Sequence, residues 1–178
     1  DVTQHLAFDR GSARNYPRSL MGVIALIRQT LLDTEWYREA RAFDRKADDP
    51  QLEYNVSLDQ LATTIDDRQP IIFESRGVLD HLRALEIARE FELDIWIRGR
   101  GDEYRELPRV VASKATILLP LNFPSNPSVS SLDDELNVSL TALQHWEAAP
   151  TNPRQLNDAG VPFVLTSSVL GTRASFSK

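Results

Sequence analysis

The sequence predicts an α/β fold in which parallel strands alternate with helices. Four apolar runs have the length and composition of buried strands, and they cover residues 70–74, 93–98, 115–120 and 161–166. Helical patterns lie between them, and strands that alternate with helices indicate a parallel sheet with right-handed crossovers. Four strands cannot close a barrel, so the pattern leaves two architectures, a small open sheet or half of an eight-stranded barrel.

Length, charge and composition exclude several classes of protein. The chain has 178 residues, enough for a hydrophobic core, and we predict a single α/β domain over residues 1–178. The net charge is −6 and the basic residues are scattered, which argues against a nucleic-acid partner. No apolar run approaches the roughly 20 residues of a membrane span. Because the chain has no cysteine, it can form neither a disulfide nor a thiolate metal site.

Two helices are predicted in the first third of the chain. Residues 1–17 contain Gly, Asn and Pro residues that break any period, which predicts irregular structure. Ser19 is a suitable N-cap for a helix that extends to about residue 40, because apolar residues then recur at helical spacing. After a charged loop, the pattern Ser57-Leu58-Asp59-Gln60 indicates a capping box and a short amphipathic helix.

Helices and loops are also predicted between the strands. Apolar residues share one face of a helix over residues 78–91, and a short helix is predicted over 102–111. Residues 122–130 are rich in Pro, Ser and Asn, which indicates a loop. A series of leucines from 132 to 143 predicts one further helix, and a segment bounded by prolines, 151–159, predicts one or two helical turns before the last strand.

The residues that follow the four strands are the candidate functional residues, because the carboxyl ends of parallel strands carry the chemistry in α/β folds. They are Glu74-Ser75-Arg76, Arg98-Gly99-Arg100, Asn122-Phe123-Pro124 and Ser167-Ser168. This set contains no histidine, cysteine or aspartate. We expect Arg76, Arg100, Asn122 and Ser167 to border a binding site at this edge of the sheet, with both arginines able to widen an anion site or to pair with nearby acids.

Other polar residues have simpler interpretations. His5, His81 and His145 share no metal-ligand spacing, and the last two are predicted to be surface or packing residues on helices. The two glycines of Gly99-Arg100-Gly101 lack the third glycine of a dinucleotide loop, and a tight turn explains them better. No nucleophile elbow surrounds the serines at the strand ends.

Four stretches of the chain carry a resemblance to a known family. They are YPRSLMGVIALIRQT over residues 16–30, His81-Leu82-Arg83-Ala84-Leu85 with Glu90-Phe91, Trp146-Glu147-Ala148-Ala149-Pro150, and Gly160-Val161-Pro162-Phe163. Together they resemble the imidazolonepropionase-related amidohydrolases, exported bacterial members of the metal-dependent amidohydrolase superfamily. The resemblance implies a TIM-like (β/α)8 barrel of which this chain is the second half. The chain would then be a fragment of a larger protein, and its location periplasmic or exported.

The resemblance also assigns three positions at the strand ends. A metal-binding histidine of the family matches Glu74, a second matches Arg98, and the catalytic aspartate matches Ser168. Arginine stays protonated and cannot ligate a metal, and serine is a very weak base. We therefore expect Glu74 and Arg98 to form an ion pair that keeps the barrel mouth neutral. The alternative is that Arg98 holds a substrate carboxylate.

These departures predict an amidohydrolase-like domain that is catalytically degenerate and has a structural or binding role beside a catalytic domain. Two alternatives stay open: an active metal-dependent hydrolase of non-peptide C–N bonds, with ligands from a missing N-terminal half, and a small anion-binding α/β domain. No metal or cofactor is expected in this segment, and zinc only if the full-length protein is active. The expected partner is the remainder of the polypeptide or a second amidohydrolase domain. A homodimer is the further alternative, because strands 70–74 and 161–166 would be open edges.

Overall fold

The computed structural model describes residues 3–11, 16–43, 52–129 and 131–167. Within these residues the strands are β1 His5–Ala7, β2 Ile71–Glu74, β3 Ile95–Arg98, β4 Thr116–Pro120 and β5 Phe163–Thr166. The α-helices are α1 Leu20–Ala42, α2 Val56–Asp66, α3 Val78–Glu90, α4 Leu107–Ser113, α5 Leu132–Asn137, α6 Leu140–Ala148 and α7 Asn152–Asp158. Two 3-10 helices cover Glu103–Glu106 and Ala149–Thr151.

The strands form one five-stranded sheet in chain order, β1-β2-β3-β4-β5. Strands β3, β4 and β5 pair in parallel, with Trp96 opposite Thr116 and Ile117 opposite Phe163. The four predicted strands therefore exist at the predicted places, and helices connect them. The predicted α/β class with parallel βα repeats is confirmed, and the sheet is consistent with part of a TIM-like barrel.

Strand β1 was not predicted from the sequence. It lies in the segment that was expected to be irregular, and the Ile72 N–H donates a hydrogen bond of 2.9 Å to the carbonyl of Gln4. The segment 70–74 therefore has a neighbour on this side, and its predicted position at an open edge of the sheet was wrong. Three residues are too few to show a hydrophobic period, so only the pairing with β2 identifies this strand.

The chain divides into two compact units, and the first comprises residues 1–72 and 86–94. Here α1 packs against α2. Ser19 caps α1 as predicted, with its Oγ accepting from the Gly22 N–H at 3.1 Å, and Val23, Ile27 and Leu31 are buried at the predicted spacing. The cap of α2 is Asn55 and not Ser57, because Asn55 Oδ1 accepts from two backbone N–H groups of the first turn, each at 3.1 Å.

The second unit comprises residues 73–85 and 95–178 and contains β3, β4 and β5. Its core includes Ile97 and Ile117 on the strands, with Val110 and Leu156 from helices, each completely buried. Strands that are rich in buried apolar residues are typical of a parallel sheet covered on both faces. The candidate functional residues lie at or directly after the ends of these strands, so the strands determine their positions.

Two predicted helices are each divided in the structure. The segment 102–111 begins as the 3-10 helix Glu103–Glu106 and continues as α4, which has Pro108 in its first turn. The leucine series gives α5 and α6, because Ser139 starts a new helix by accepting from the Ala142 N–H at 3.2 Å. None of the helices in the described ranges combines the length and apolar character needed to span a membrane.

Candidate functional site at the strand ends

The ends of β2 and β3 are joined by an ion pair. The Arg98 Nη1 donates to Glu74 Oε1 at 2.8 Å, and the Ser75 N–H donates to the Arg98 carbonyl at 3.2 Å. The expected contact between Glu74 and Arg98 is therefore confirmed. Parallel pairing brings the final residues of neighbouring strands to one edge, which is why two residues separated by 24 positions meet here.

The environment of this pair is partly solvated. The Arg98 side chain is 26% exposed and that of Glu74 is 42% exposed. Water screens ion pairs at this depth, so the stabilisation is on the order of 0.2–1 kcal/mol. The main chemical effect is that two opposite charges at the strand ends neutralise each other. Among the described residues, no group of three His, Cys, Asp or Glu side chains is arranged to hold a metal ion.

The loop after β2 is held by side chains that accept backbone hydrogen bonds. Ser75 is buried, and its Oγ accepts from the Gly77 N–H at 3.2 Å. The Val78 N–H, at the start of α3, donates to Asp102 Oδ2 at 3.1 Å. Asp102 belongs to the loop after β3, so this carboxylate caps a helix that follows the neighbouring strand. The two loops at the strand ends are therefore tied together.

His81 lies in the first turn of α3 and is 1% exposed. Of the two expected placements, surface or packing, the structure has the packing one. Neither ring nitrogen has a hydrogen-bond partner in the described part of the chain, and the same is true of Asp102 Oδ1. Burial lowers the pKa of His81 to about 4, because the charged imidazolium would lose its hydration, and the negative charge of Asp102 opposes this effect only in part.

A buried carboxylate organises the loop after β3. Glu103 is 1% exposed, and its Oε1 accepts from the Arg100 N–H at 2.8 Å and from the Gly101 N–H at 3.3 Å. Its Oε2 accepts from Asn152 Nδ2 at 2.7 Å. A Cβ at Gly99 would collide with the Glu103 carboxylate, and Gly101 has a φ of +85°. The two glycines therefore let the backbone pass closely around Glu103, with a bend at Gly101.

The two residues that follow Glu103 in the sequence, Tyr104 and Arg105, form a cluster with His145. The Tyr104 hydroxyl is 3.1 Å from His145 Nδ1, and Arg105 Nε donates to the same hydroxyl at 3.3 Å. The sequence does not predict this cluster, because His145 alone is expected to be a surface or packing residue. Residues 104 and 145 lie in different elements, so no spacing links them; the one available signal was a Tyr-Arg dipeptide shortly after a strand end.

The remaining predicted site residues lie on loops or at the last strand end. Arg76 and Arg100 are exposed after β2 and β3, and Asn122 is exposed after β4. Ser167 follows β5 directly and is half-buried. Ser168 lies outside the described residues. The structure brings two of the predicted residues, Glu74 and Arg98, into direct side-chain contact.

Comparison with known proteins supports the fold. The crystal structure of an amidohydrolase from Thermotoga maritima MSB8 matches 97% of this chain with a TM-score of 0.67 and 16% sequence identity. This chain spans 43% of the length of that protein. At such low identity the similarity shows an amidohydrolase-like fold and nothing further. No protein-family model matches the sequence. No curated protein matches it either.

Proposed function

We propose that this chain is a catalytically degenerate amidohydrolase-like domain, related to the imidazolonepropionase-like amidohydrolases, with a structural or binding role beside a catalytic domain. The ion pair of 2.8 Å between Arg98 and Glu74 carries this proposal. The two residues end the strands where the resemblance expects metal-binding histidines. The likeness to an amidohydrolase over 97% of the chain supports the same fold for this domain.

The chemistry of the two side chains disfavours a metal at this position. A guanidinium has no free lone pair and repels a cation, and one of the two Glu74 carboxylate oxygens already accepts a hydrogen bond from Arg98. Zinc therefore does not fit these residues. The same ion pair neutralises Arg98, which favours the degenerate domain over an anion-binding domain centred on this arginine.

Metal analysis of the full-length protein tests the proposal. The protein is expressed with added zinc, passed through a desalting column and analysed by mass spectrometry for metals, with an active amidohydrolase as the positive control. We expect well below one zinc per chain. One zinc per chain that is lost in the variant Glu74→Ala would contradict the proposal and support the alternative, an active hydrolase of non-peptide C–N bonds.

The partner proposed for this domain covers the edge strand β5. Val164 and Leu165 point to opposite faces of the sheet and are 51% and 43% exposed. Parallel sheets bury both faces, so an apolar edge of this kind fits a further strand with its covering helices. We assign that role to the remainder of the polypeptide or to a second amidohydrolase domain. The fact that this chain spans 43% of its amidohydrolase neighbour supports this assignment.

Without that partner, a second copy of the chain is expected to cover the edge. Light scattering of these 178 residues should then show a dimer, and Val164→Lys should shift it to a monomer because a charge replaces apolar contact area. Val129→Lys is the matched control, since this valine is 56% exposed in the loop after β4. A monomeric wild-type chain would rule out the homodimer.

A further inference from the structure

The side chains of Tyr104, Arg105 and His145 contact one another through their rings as well as through hydrogen bonds. The Tyr104 and His145 rings are nearly parallel, at 15°, with centroids 6.1 Å apart. The guanidinium carbon of Arg105 is 5.8 Å from the centroid of the Tyr104 ring, within the range of a cation–π interaction. The phenol, the imidazole and the guanidinium therefore contact one another through ring interactions and hydrogen bonds.

The hydrogen bonds determine which atoms of the cluster stay available. In the tautomer that we assign, with His145 Nδ1 unprotonated, the Tyr104 oxygen accepts from Arg105 Nε and its O–H donates to His145 Nδ1, 3.1 Å away. A neutral imidazole that accepts at Nδ1 carries its proton on Nε2. The polar groups that remain are the terminal guanidinium nitrogens and the His145 Nε2–H. All of these are donors, and no carboxylate in the described ranges forms an ion pair with Arg105.

A buried polar framework fixes the position of this cluster. The Tyr104 N–H donates to Asn152 Oδ1 at 2.9 Å, and Asn152 Nδ2 donates to Glu103 Oε2 at 2.7 Å. Asn152 is 0% exposed and Glu103 is 1% exposed. Burying a carboxylate costs free energy that apolar packing would avoid. Here the hydrogen bonds of Asn152 and Glu103 position the backbone of Tyr104 and of the adjacent Arg105. Buried contacts of this kind preorganise a binding group.

We propose that Tyr104, Arg105 and His145 form a binding site for a small oxyanion, a carboxylate or a phosphate group. The guanidinium supplies a fork of donors that matches two oxygens of such a group, and His145 Nε2–H supplies a third donor. Tyr104 is a positioning residue that orients the other two. The site includes neither Glu74 nor Arg98, so a negative result for this site would not contradict the proposed degenerate function.

Histidine resonances in the purified protein test this site directly. The chain has three histidines, so their ring C–H signals are readily assigned by substitution. Sodium phosphate is titrated at pH 7 with sodium chloride keeping the ionic strength constant, and sodium acetate is titrated in a second arm. We expect the His145 signal to shift and to saturate at concentrations on the order of millimolar. Buried His81 should not move, and exposed His5 reports any non-specific effect.

Matched variants separate the site from general charge effects. Arg105→Gln should raise the half-saturating concentration about tenfold, as expected for the loss of a charge-assisted hydrogen bond. Arg109→Gln removes the same charge from another exposed arginine. This variant should change the half-saturating concentration by less than about twofold. Tyr104→Phe keeps the ring and should also weaken binding. Saturation with either anion supports the site and identifies the group. No saturation with either anion, or equal weakening by Arg105→Gln and Arg109→Gln, would overturn it.

Discussion

Asn152 Nδ2 donates a hydrogen bond of 2.7 Å to Glu103 Oε2, and both side chains are almost completely inaccessible to solvent. This contact joins the start of α7 to the 3-10 helix after β3 across 49 positions of the sequence. Together with the backbone donors of Arg100 and Gly101, it satisfies both oxygens of a carboxylate that would otherwise be buried without partners. The conformation of the loop after β3 therefore depends on Asn152.

Replacing Asn152 by alanine should destabilise the protein by about 1–3 kcal/mol, because Glu103 Oε2 would remain buried without its donor. The free energy of unfolding in urea measures the effect. The matched control on the same helix is Gln155→Ala, whose amide bonds with Thr151 near the surface and should contribute less than about 1 kcal/mol. Equal losses for the two variants would show that Glu103 does not depend on Asn152.

Gly99→Ala should be destabilising because the added Cβ would collide with the Glu103 carboxylate and approach Ile117 Cγ2 to 3.2 Å. Overpacking of this kind typically costs about 1–3 kcal/mol. The collision predicts strong coupling, so the loss should be smaller when Gly99→Ala is introduced into a Glu103→Ala background. Thermal and urea unfolding of the four proteins in this cycle provide the measurement. Additive losses would mean that the carboxylate is not what restricts residue 99.

The ion pair between Glu74 and Arg98 should give a coupling energy of about 0.2–1 kcal/mol in a cycle of Glu74→Ala and Arg98→Ala, because both side chains are partly solvated. The coupling should decrease at about 1 M salt, where the screening length falls to about 3 Å. Arg89 and Glu86, 2.6 Å apart on the surface of α3 and more exposed, provide the control cycle. A coupling near zero at low salt would leave the neutralising role of the Glu74–Arg98 pair without support.

The sequence predicts these features unequally, for physical reasons. The four longer strands are apolar runs, and their order places Glu74 and Arg98 at neighbouring strand ends, so their contact could be predicted. Strand β1 is three residues long and exists through its pairing with β2, which no local pattern encodes. Glu103 and Asn152 lie 49 positions apart on two different helices, so their contact depends on tertiary packing. The cluster of Tyr104 and His145 escapes sequence analysis for the same reason.

His81 should make stability dependent on pH below neutrality. Its pKa is lowered to about 4 in the folded protein, against an ordinary value of 6.5, because burial disfavours the charged ring. Well above pH 6.5 the ring is neutral in both the folded and the unfolded state, so this group has no effect on the pH dependence of stability there. As the pH falls from 6.5 toward 4, the unfolded chain binds a proton that the folded protein does not, and the loss reaches about 2 kcal/mol at pH 5.

The variant His81→Leu isolates this contribution. Leucine has a similar size and no titrating group, and it removes two buried nitrogens that have no partner among the described residues, so the variant should remain folded at pH 7.5. Urea unfolding gives the free energy of unfolding at pH 7.5 and at pH 5. The decrease between these two pH values should be smaller in the variant than in the wild type, since the carboxylates are the same in both proteins. The same loss in both would mean that His81 is protonated in the folded state, and its burial would then have to be explained by an ionic contact with Asp102.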